Sequence, residues 1–153
     1  MARYFFDTSA FTKFYHPEIG SVRVTALMRE PRAILQISNL VLLETRSALA
    51  LKVRTGALDQ TKAESAMDEV FRDIARGLIR AVRLNEAHVD EAQAIVTKYG
   101  YKRRMRTLDA LQLAVALDLH RRNHLDVLVV ADKLLGEVAA LDGLLVENPE
   151  DTP

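Results

Sequence analysis

Short apolar runs alternating with longer amphipathic ones constrain this chain more than any other feature. Tyr4–Phe6, Ile34–Ile37, Ile79–Leu84, Val127–Val130 and Leu144–Val146 are brief and mostly β-branched or aromatic, as strands buried on both faces are. Between them run helical periodicities over Ser9–Tyr15, Ser21–Arg29, Leu40–Arg54, Gln60–Arg76, Glu86–Lys98, Leu108–Arg122 and Lys133–Leu141. Asp59 and Asn85 stand where N-caps belong, Gly56 and Gly100 where a helix would end on a left-handed residue. Thr107 can cap the run that follows it. Strands separated by helices pair in parallel through crossovers. The expected fold is therefore α/β, a three-layer Rossmann-like domain with a mostly parallel sheet of about five strands and helices on both faces. A chain of 153 residues suits one such domain, residues 1–153, since domains commonly run to about 100–200 residues.

Composition narrows the function. Cysteine is absent, which excludes disulfides, thiolate metal sites and a cysteine nucleophile, and suits a cytoplasmic protein. Lys and Arg number 21 against 21 Asp and Glu, so no global field draws the chain to nucleic acid and any such binding must be local. The uncharged stretches Ala33–Leu43 and Ala110–Leu117 fall short of the roughly 18 apolar residues of a membrane span. The opening Met-Ala-Arg-Tyr-Phe-Phe-Asp meets an acid at once, unlike a secretory leader. There is no Gly-rich phosphate loop and no Gly-x-Ser-x-Gly elbow. His120 and His124 have the spacing of a helical zinc pair but no third ligand, and a position near a helix C-terminus accounts for them.

In a parallel sheet, ligands gather at the carboxyl ends of the strands, and acids fall there. Asp7 follows the first strand and Asp132 the fourth; either alone also suits a helix N-cap. Glu44 lies in a stripe of Leu40, Leu43, Ser47, Ala48 and Leu51. A glutamate inside an apolar stripe must be paired, protonated or coordinated, unless it tilts to solvent. Arg46 is a poor partner because residues two apart do not share a helix face. Asp109 opens a helix whose Leu113, Ala116 and Leu117 share its face, although the helix dipole alone could account for an acid there. Taken together, four acids without a cysteine or histidine set favour Mg²⁺ or Mn²⁺ over Zn²⁺. A carboxylate cluster holding such ions is a device for hydrolysing phosphodiesters with an activated water.

Four segments carry a wider likeness: Phe6-Asp7-Thr8-Ser9, Leu43-Glu44-Thr45-Arg46-Ser47-Ala48-Leu49, Arg106-Thr107-Leu108-Asp109-Ala110-Leu111-Gln112-Leu113-Ala114 and Ala131-Asp132-Lys133-Leu134-Leu135. In this order the chain resembles the PIN-domain ribonucleases, and among them the VapC-type toxins of bacterial and archaeal toxin–antitoxin pairs. The resemblance implies a Rossmann-like sheet, Mg²⁺ or Mn²⁺ at Asp7, Glu44, Asp109 and Asp132, endonucleolytic cleavage of RNA, and a homodimer. It also implies a small antitoxin that blocks the acidic pocket. Thr8 and Ser9 are the hydroxyls expected to orient the carboxylates. The chain departs from many relatives at Val130, where they carry a hydroxyl residue, and at Gln112, where they often have histidine. Glu137 stands where some relatives place a further acid.

Lys102, Arg103, Arg104 and Arg106 lie within five residues directly before Asp109. They are the candidates for RNA phosphate contacts, with Tyr99 or Tyr101 able to stack on an unpaired base; a solvated loop or a patch for an acidic partner segment are the alternatives. The competing functional reading is a catalytically weak module that binds RNA or protein. A haloacid-dehalogenase-type phosphatase would need a second Asp two residues after the first, where this chain has Ser9.

Overall fold

The computed structural model describes residues 1–151. Along the chain these form β1 (Arg3–Phe6), α1 (Thr8–Tyr15), α2 (Ser21–Met28), β2 (Ile34–Ser38), α3 (Asn39–Arg54) and α4 (Gln60–Ala75). Then come β3 (Ile79–Val82), α5 (Glu86–Tyr99), α6 (Thr107–Arg121), β4 (Val127–Val129), α7 (Lys133–Leu141) and β5 (Val146–Glu147). The strands make one parallel sheet of five in the order β3-β2-β1-β4-β5. The chain thus builds outward from β1 on one side, then returns to pair β4 with its other side. That reversal creates a crevice at the carboxyl ends of β1 and β4, where doubly wound sheets bind ligands.

Both sheet faces are covered, and the strand period of two sorts the core between them. Tyr4 and Phe6 of β1 pack with Phe11 of α1, Leu27 of α2, Val41 of α3 and Val70 of α4. Phe5 points the other way, into a cluster with Ile95 of α5, Leu113 and Leu117 of α6, and Val138 of α7. On β2, Leu35 and Ile37 face the first cluster, whereas the alternate residues Gln36 and Ser38 are buried polar groups on the second side. Gln36 is satisfied by donating to the His124 carbonyl at 2.8 Å. No helix is long and apolar enough to cross a membrane, among the described residues.

The helix ends follow local chemistry. Asp59 caps α4 through the Lys62 N–H, and Asn85 caps α5 in a reciprocal box with His88. Gly56 has φ of +75°, the left-handed conformation expected after α3. Gly100 does not: it caps α5 in the right-handed region at φ −64°, and close approach explains it, since a Cβ there would lie 2.6 Å from the Val96 carbonyl oxygen. Thr107 is the first residue of α6 rather than its cap; that position belongs to Arg106, whose side chain makes no capping bond. Strand β4 stops at Val129, and β5 falls later than its apolar run, leaving Leu144 buried before it. His124 lies beyond the end of α6, so His120 and His124 do not share a helix face.

Candidate active site

Helices follow closely on the carboxyl ends of β1 and β4, and the residue that opens each helix is an acid: Asp7, next after β1, and Asp132, three residues after β4. Asp7 caps α1 by accepting from the Ser9 N–H, and Asp132 caps α7 by accepting from the Leu135 N–H. The cap role open to both acids on sequence grounds is therefore real, and it coexists with their placement. A cleft of about 660 Å³ is lined by Asp7, Glu44, Asp109 and Asp132 together, with Arg106 and Arg54 at its margins. Four carboxylates distant in sequence thus share one opening at the sheet's switch point.

Two hydroxyls tie this ring. Ser9 donates its hydroxyl to Asp7 Oδ2 at 2.7 Å and its N–H to the same oxygen at 3.0 Å. Its Oγ in turn accepts from the N–H groups of Ala131 and Asp132 at 3.0 and 3.2 Å, so one serine links the ends of β1 and β4. Thr8 donates to Glu44 Oε2 at 2.7 Å, and Gln112 Nε2 donates to that same oxygen at 2.7 Å. Asp7 is only 5% exposed. Burial pushes its carboxyl up to about 6, the Ser9 bonds oppose that, and the negative charges of Glu44 and Asp109 add to it.

The stripe that carries Glu44 is not a core stripe. Leu40, Leu43, Ser47, Ala48 and Leu51 form the cleft wall, with Leu43 and Leu51 largely exposed; the buried positions of α3 are Val41, Thr45 and Leu49. Glu44 needs no arginine partner because its face opens on the cleft. Asp109 sits in the first turn of α6, above a buried Leu113, Ala116 and Leu117.

Arg106 supplies positive charge to the ring. Its Nε donates to Asp109 Oδ2 at 2.8 Å and its Nη2 to Asp132 Oδ2 at 3.2 Å. Of the basic cluster, this residue alone bonds the carboxylates. Lys102, Arg103 and Arg104 are exposed; Arg104 lines a side recess with Arg106, Asp109 and Asp132. Arg103 pairs at 3.7 Å with Glu137, which faces a separate recess that it shares with Asp132. Tyr101 is almost wholly exposed, whereas Tyr99 is buried and its hydroxyl donates to Asp142 at 2.6 Å, leaving Tyr101 as the ring free to stack.

A hard divalent ion fits the donor chemistry of the ring, which is all carboxylate oxygen. A guanidinium already stands in as cation between two of the acids, and the buried Asp7 gains from any positive charge brought near. Among the described residues, no three His, Cys, Asp or Glu side chains are grouped so as to hold a metal ion as they stand, and two of the four acids are bonded to Arg106.

The sequence does not single out Ser38, whose buried hydroxyl donates to the Gln112 amide oxygen at 2.7 Å, or Arg54, which lines the cleft. Ser38 resembles an ordinary N-cap, and Arg54 an ordinary last-turn cation.

The family model for the PIN domain matches residues 4–141. No curated protein sequence matches the chain. Mycobacterium tuberculosis VapC20, a sarcin-ricin loop cleaving toxin, is similar at TM-score 0.67 and 18% identity, covering 98% of this chain and 99% of its own. FitAcB from Neisseria gonorrhoeae gives TM-score 0.65 at 17% identity over 97% and 99% of the two chains. VapBC-1 from nontypeable Haemophilus influenzae gives 0.61 at 17% identity over 96% and 98%. At these identities the likeness is one of fold.

Proposed function

The chain belongs to the PIN domain family, and from that premise we propose that it is a Mg²⁺- or Mn²⁺-dependent endoribonuclease, the toxin of a toxin–antitoxin pair. One observation carries this reading: Asp7, Glu44, Asp109 and Asp132, from four separate segments, line one cleft at the switch point of the sheet. A pure binding module has no physical need to crowd like charges.

When bound, a divalent ion supplies Lewis-acid stabilisation of the phosphodiester and a nucleophilic water at neutral pH. The chain's own residues do the rest. Asp7, Glu44, Asp109 and Asp132 would hold the ion. Ser9 and Thr8 fix the rotamers of Asp7 and Glu44 by the bonds described, so the oxygens do not have to reorganise as charge develops. Arg104 lines a recess with Asp109 and Asp132, and with Lys102 and Arg103, exposed on the same loop, it would position the RNA backbone. Arg106, once released from Asp109 and Asp132, is placed to join them. We further assign residues 1–153 to a single domain acting as a homodimer in the cytoplasm. Its proposed partner is a small antitoxin that blocks the acidic cleft; toxin–antitoxin complexes among the fold neighbours support that role.

The test is cleavage of end-labelled single-stranded RNA by the purified protein with Mn²⁺, Mg²⁺ or chelator, beside Asp109→Asn. Divalent-dependent cleavage lost in the variant is expected. RNA binding without cleavage in any ion would instead favour the catalytically weak binding module.

A further inference from the structure

Glu44 is held from behind by a polar chain running through the apolar core. Ser38 ends β2, fully buried, and Gln112 lies in the middle of α6 at 2% exposure, among Leu113, Ala114 and Val115. Their contacts have only one consistent set of proton directions. A carboxylate only accepts, so the amide nitrogen of Gln112 must face Glu44 Oε2, at 2.7 Å. The amide oxygen then faces Ser38, whose hydroxyl must donate to it, at 2.7 Å. Thr8 donates to the same Oε2. Both donors therefore converge on one oxygen, and Oε1 takes no hydrogen bond among the described residues. That oxygen belongs to a side chain lining the cleft.

A second observation concerns Ser38 itself. It occupies the N-cap position of α3, where a serine oxygen ordinarily bonds the first-turn N–H groups, yet it makes no side-chain capping bond. The hydroxyl is diverted from stabilising its own helix to orienting an amide on α6. Ordering two buried polar side chains in an apolar layer is costly unless every group is satisfied, and in this chain of bonds each is.

We propose that Ser38 and Gln112 form a positioning relay that locks the rotamer of Glu44 through Oε2 and leaves its Oε1 free to serve as a ligand to the divalent ion. This rests on the reading of Glu44 as an ion ligand. Gln112 touches neither ion nor RNA; it acts through Glu44, and Ser38 acts through Gln112.

The experiment is calorimetric titration of the intact protein with Mn²⁺ for wild type, Glu44→Gln, Gln112→Met, Ser38→Ala and the double variant Ser38→Ala/Gln112→Met. Methionine matches glutamine in length and suits its apolar surroundings, so the fold should survive. Gln112→Met is expected to weaken Mn²⁺ binding by roughly 10–100-fold, the scale for groups that orient metal ligands. Ser38→Ala should weaken it less, and the double variant no more than Gln112→Met, because the serine works only through the amide. In RNA cleavage, KM for RNA should stay unchanged while kcat at low Mn²⁺ falls and recovers as Mn²⁺ is raised. Should Gln112→Met fail to fold, Ser38→Ala decides alone: a folded variant with weakened Mn²⁺ affinity supports the relay, and wild-type affinity overturns it. If Glu44→Gln loses Mn²⁺ but Gln112→Met binds as wild type, the relay is wrong and the ion site stands. If Glu44→Gln itself binds Mn²⁺ as wild type, Glu44 is no ligand and both readings fall.

Discussion

Asp7→Asn should make the ion-free protein more stable at neutral pH, although it alters a buried residue. Burial, joined by the charges of Glu44 and Asp109, raises the Asp7 carboxyl from its ordinary 3.8 to about 6. The folded state therefore holds this proton more tightly than the unfolded state. Stability from this group is fully present below about 3.8 and is lost as pH rises through the folded value near 6. At about 1.36 kcal/mol per unit, ionising Asp7 at pH 7 costs the fold on the order of 2–3 kcal/mol. Asparagine removes the charge yet keeps an oxygen to accept from Ser9 and cap α1. At roughly 2–4 °C per kcal/mol for a domain of this size, the variant should melt about 5–10 °C above wild type at pH 7 in chelator. At pH 4 the two should nearly coincide. The assay is a set of thermal melts from pH 4 to 7, and the gap should open between about pH 4 and 6, with its midpoint at about 5, halfway between the unfolded and folded values. An asparagine variant that melts lower at pH 7, or a gap that does not change with pH, would show Asp7 to be a structural cap without electrostatic strain.

Arg106→Gln should tighten Mn²⁺ binding by roughly fivefold at low salt, since removing a half-exposed competing cation is worth about 1 kcal/mol; titration calorimetry checks it, and weaker binding would mean the guanidinium helps assemble the site. Replacing Arg103 and Arg104 by Ala should flatten the salt dependence of RNA affinity by about 0.7 in log–log slope per lost phosphate contact, and an unchanged slope assigns the loop to solvent or to the antitoxin. Gly100→Ala should lower stability by about 1–3 kcal/mol in urea unfolding, because its Cβ would press on the Val96 carbonyl and α5 must shift. A neutral result there would mean the α5 terminus relaxes freely.

The fold was legible because its alternation is local. Apart from β3, which carries Arg80, the strands are short runs that nothing charged interrupts, and α1, α4, α5 and α7 carry side-chain N-caps while Gly56 follows α3, so the order and type of elements follow largely from near neighbours. The boundaries that moved did so through tertiary contact. Arg106, not Thr107, takes the cap position of α6, and its side chain bonds Asp109 and Asp132 across the cleft instead of capping the helix. Gly100 is a glycine for want of space against Val96, not for a left-handed turn. Of the candidate site, Asp7 and Asp132 stood out by their place at strand ends, and Glu44 by its intrusion into an apolar stripe. Its surroundings were not readable from that stripe, because Leu43 and Leu51 are apolar yet face a cleft, and hydrophobic pattern does not separate a cleft wall from a core. Ser38 and Gln112 were hidden for a different reason. Their partner lies 74 positions away for one another and 68 for Gln112 and Glu44, a separation that periodicity does not span.

How a chain tolerates such an acidic cluster before any ion arrives follows from where its members sit. Asp7 and Asp132 are N-caps of α1 and α7, and Asp109 is in the first turn of α6, so three of the four charges meet the positive end of a helix dipole. Arg106 offsets two of them again. Glu44, inside α3, does not open its own helix; it is held by two neutral side-chain donors, Thr8 at the start of α1 and Gln112. The capping contribution depends on an oxygen, which asparagine retains; the attraction for a divalent ion depends on charge, which asparagine lacks. Folding and chemistry are therefore separable at Asp7, Asp109 and Asp132 by a single Asp→Asn change. At Glu44, Glu→Gln can likewise keep an oxygen on the two donors of Oε2 while its amide nitrogen takes the unbonded Oε1 position, so it too removes charge with the local bonds kept.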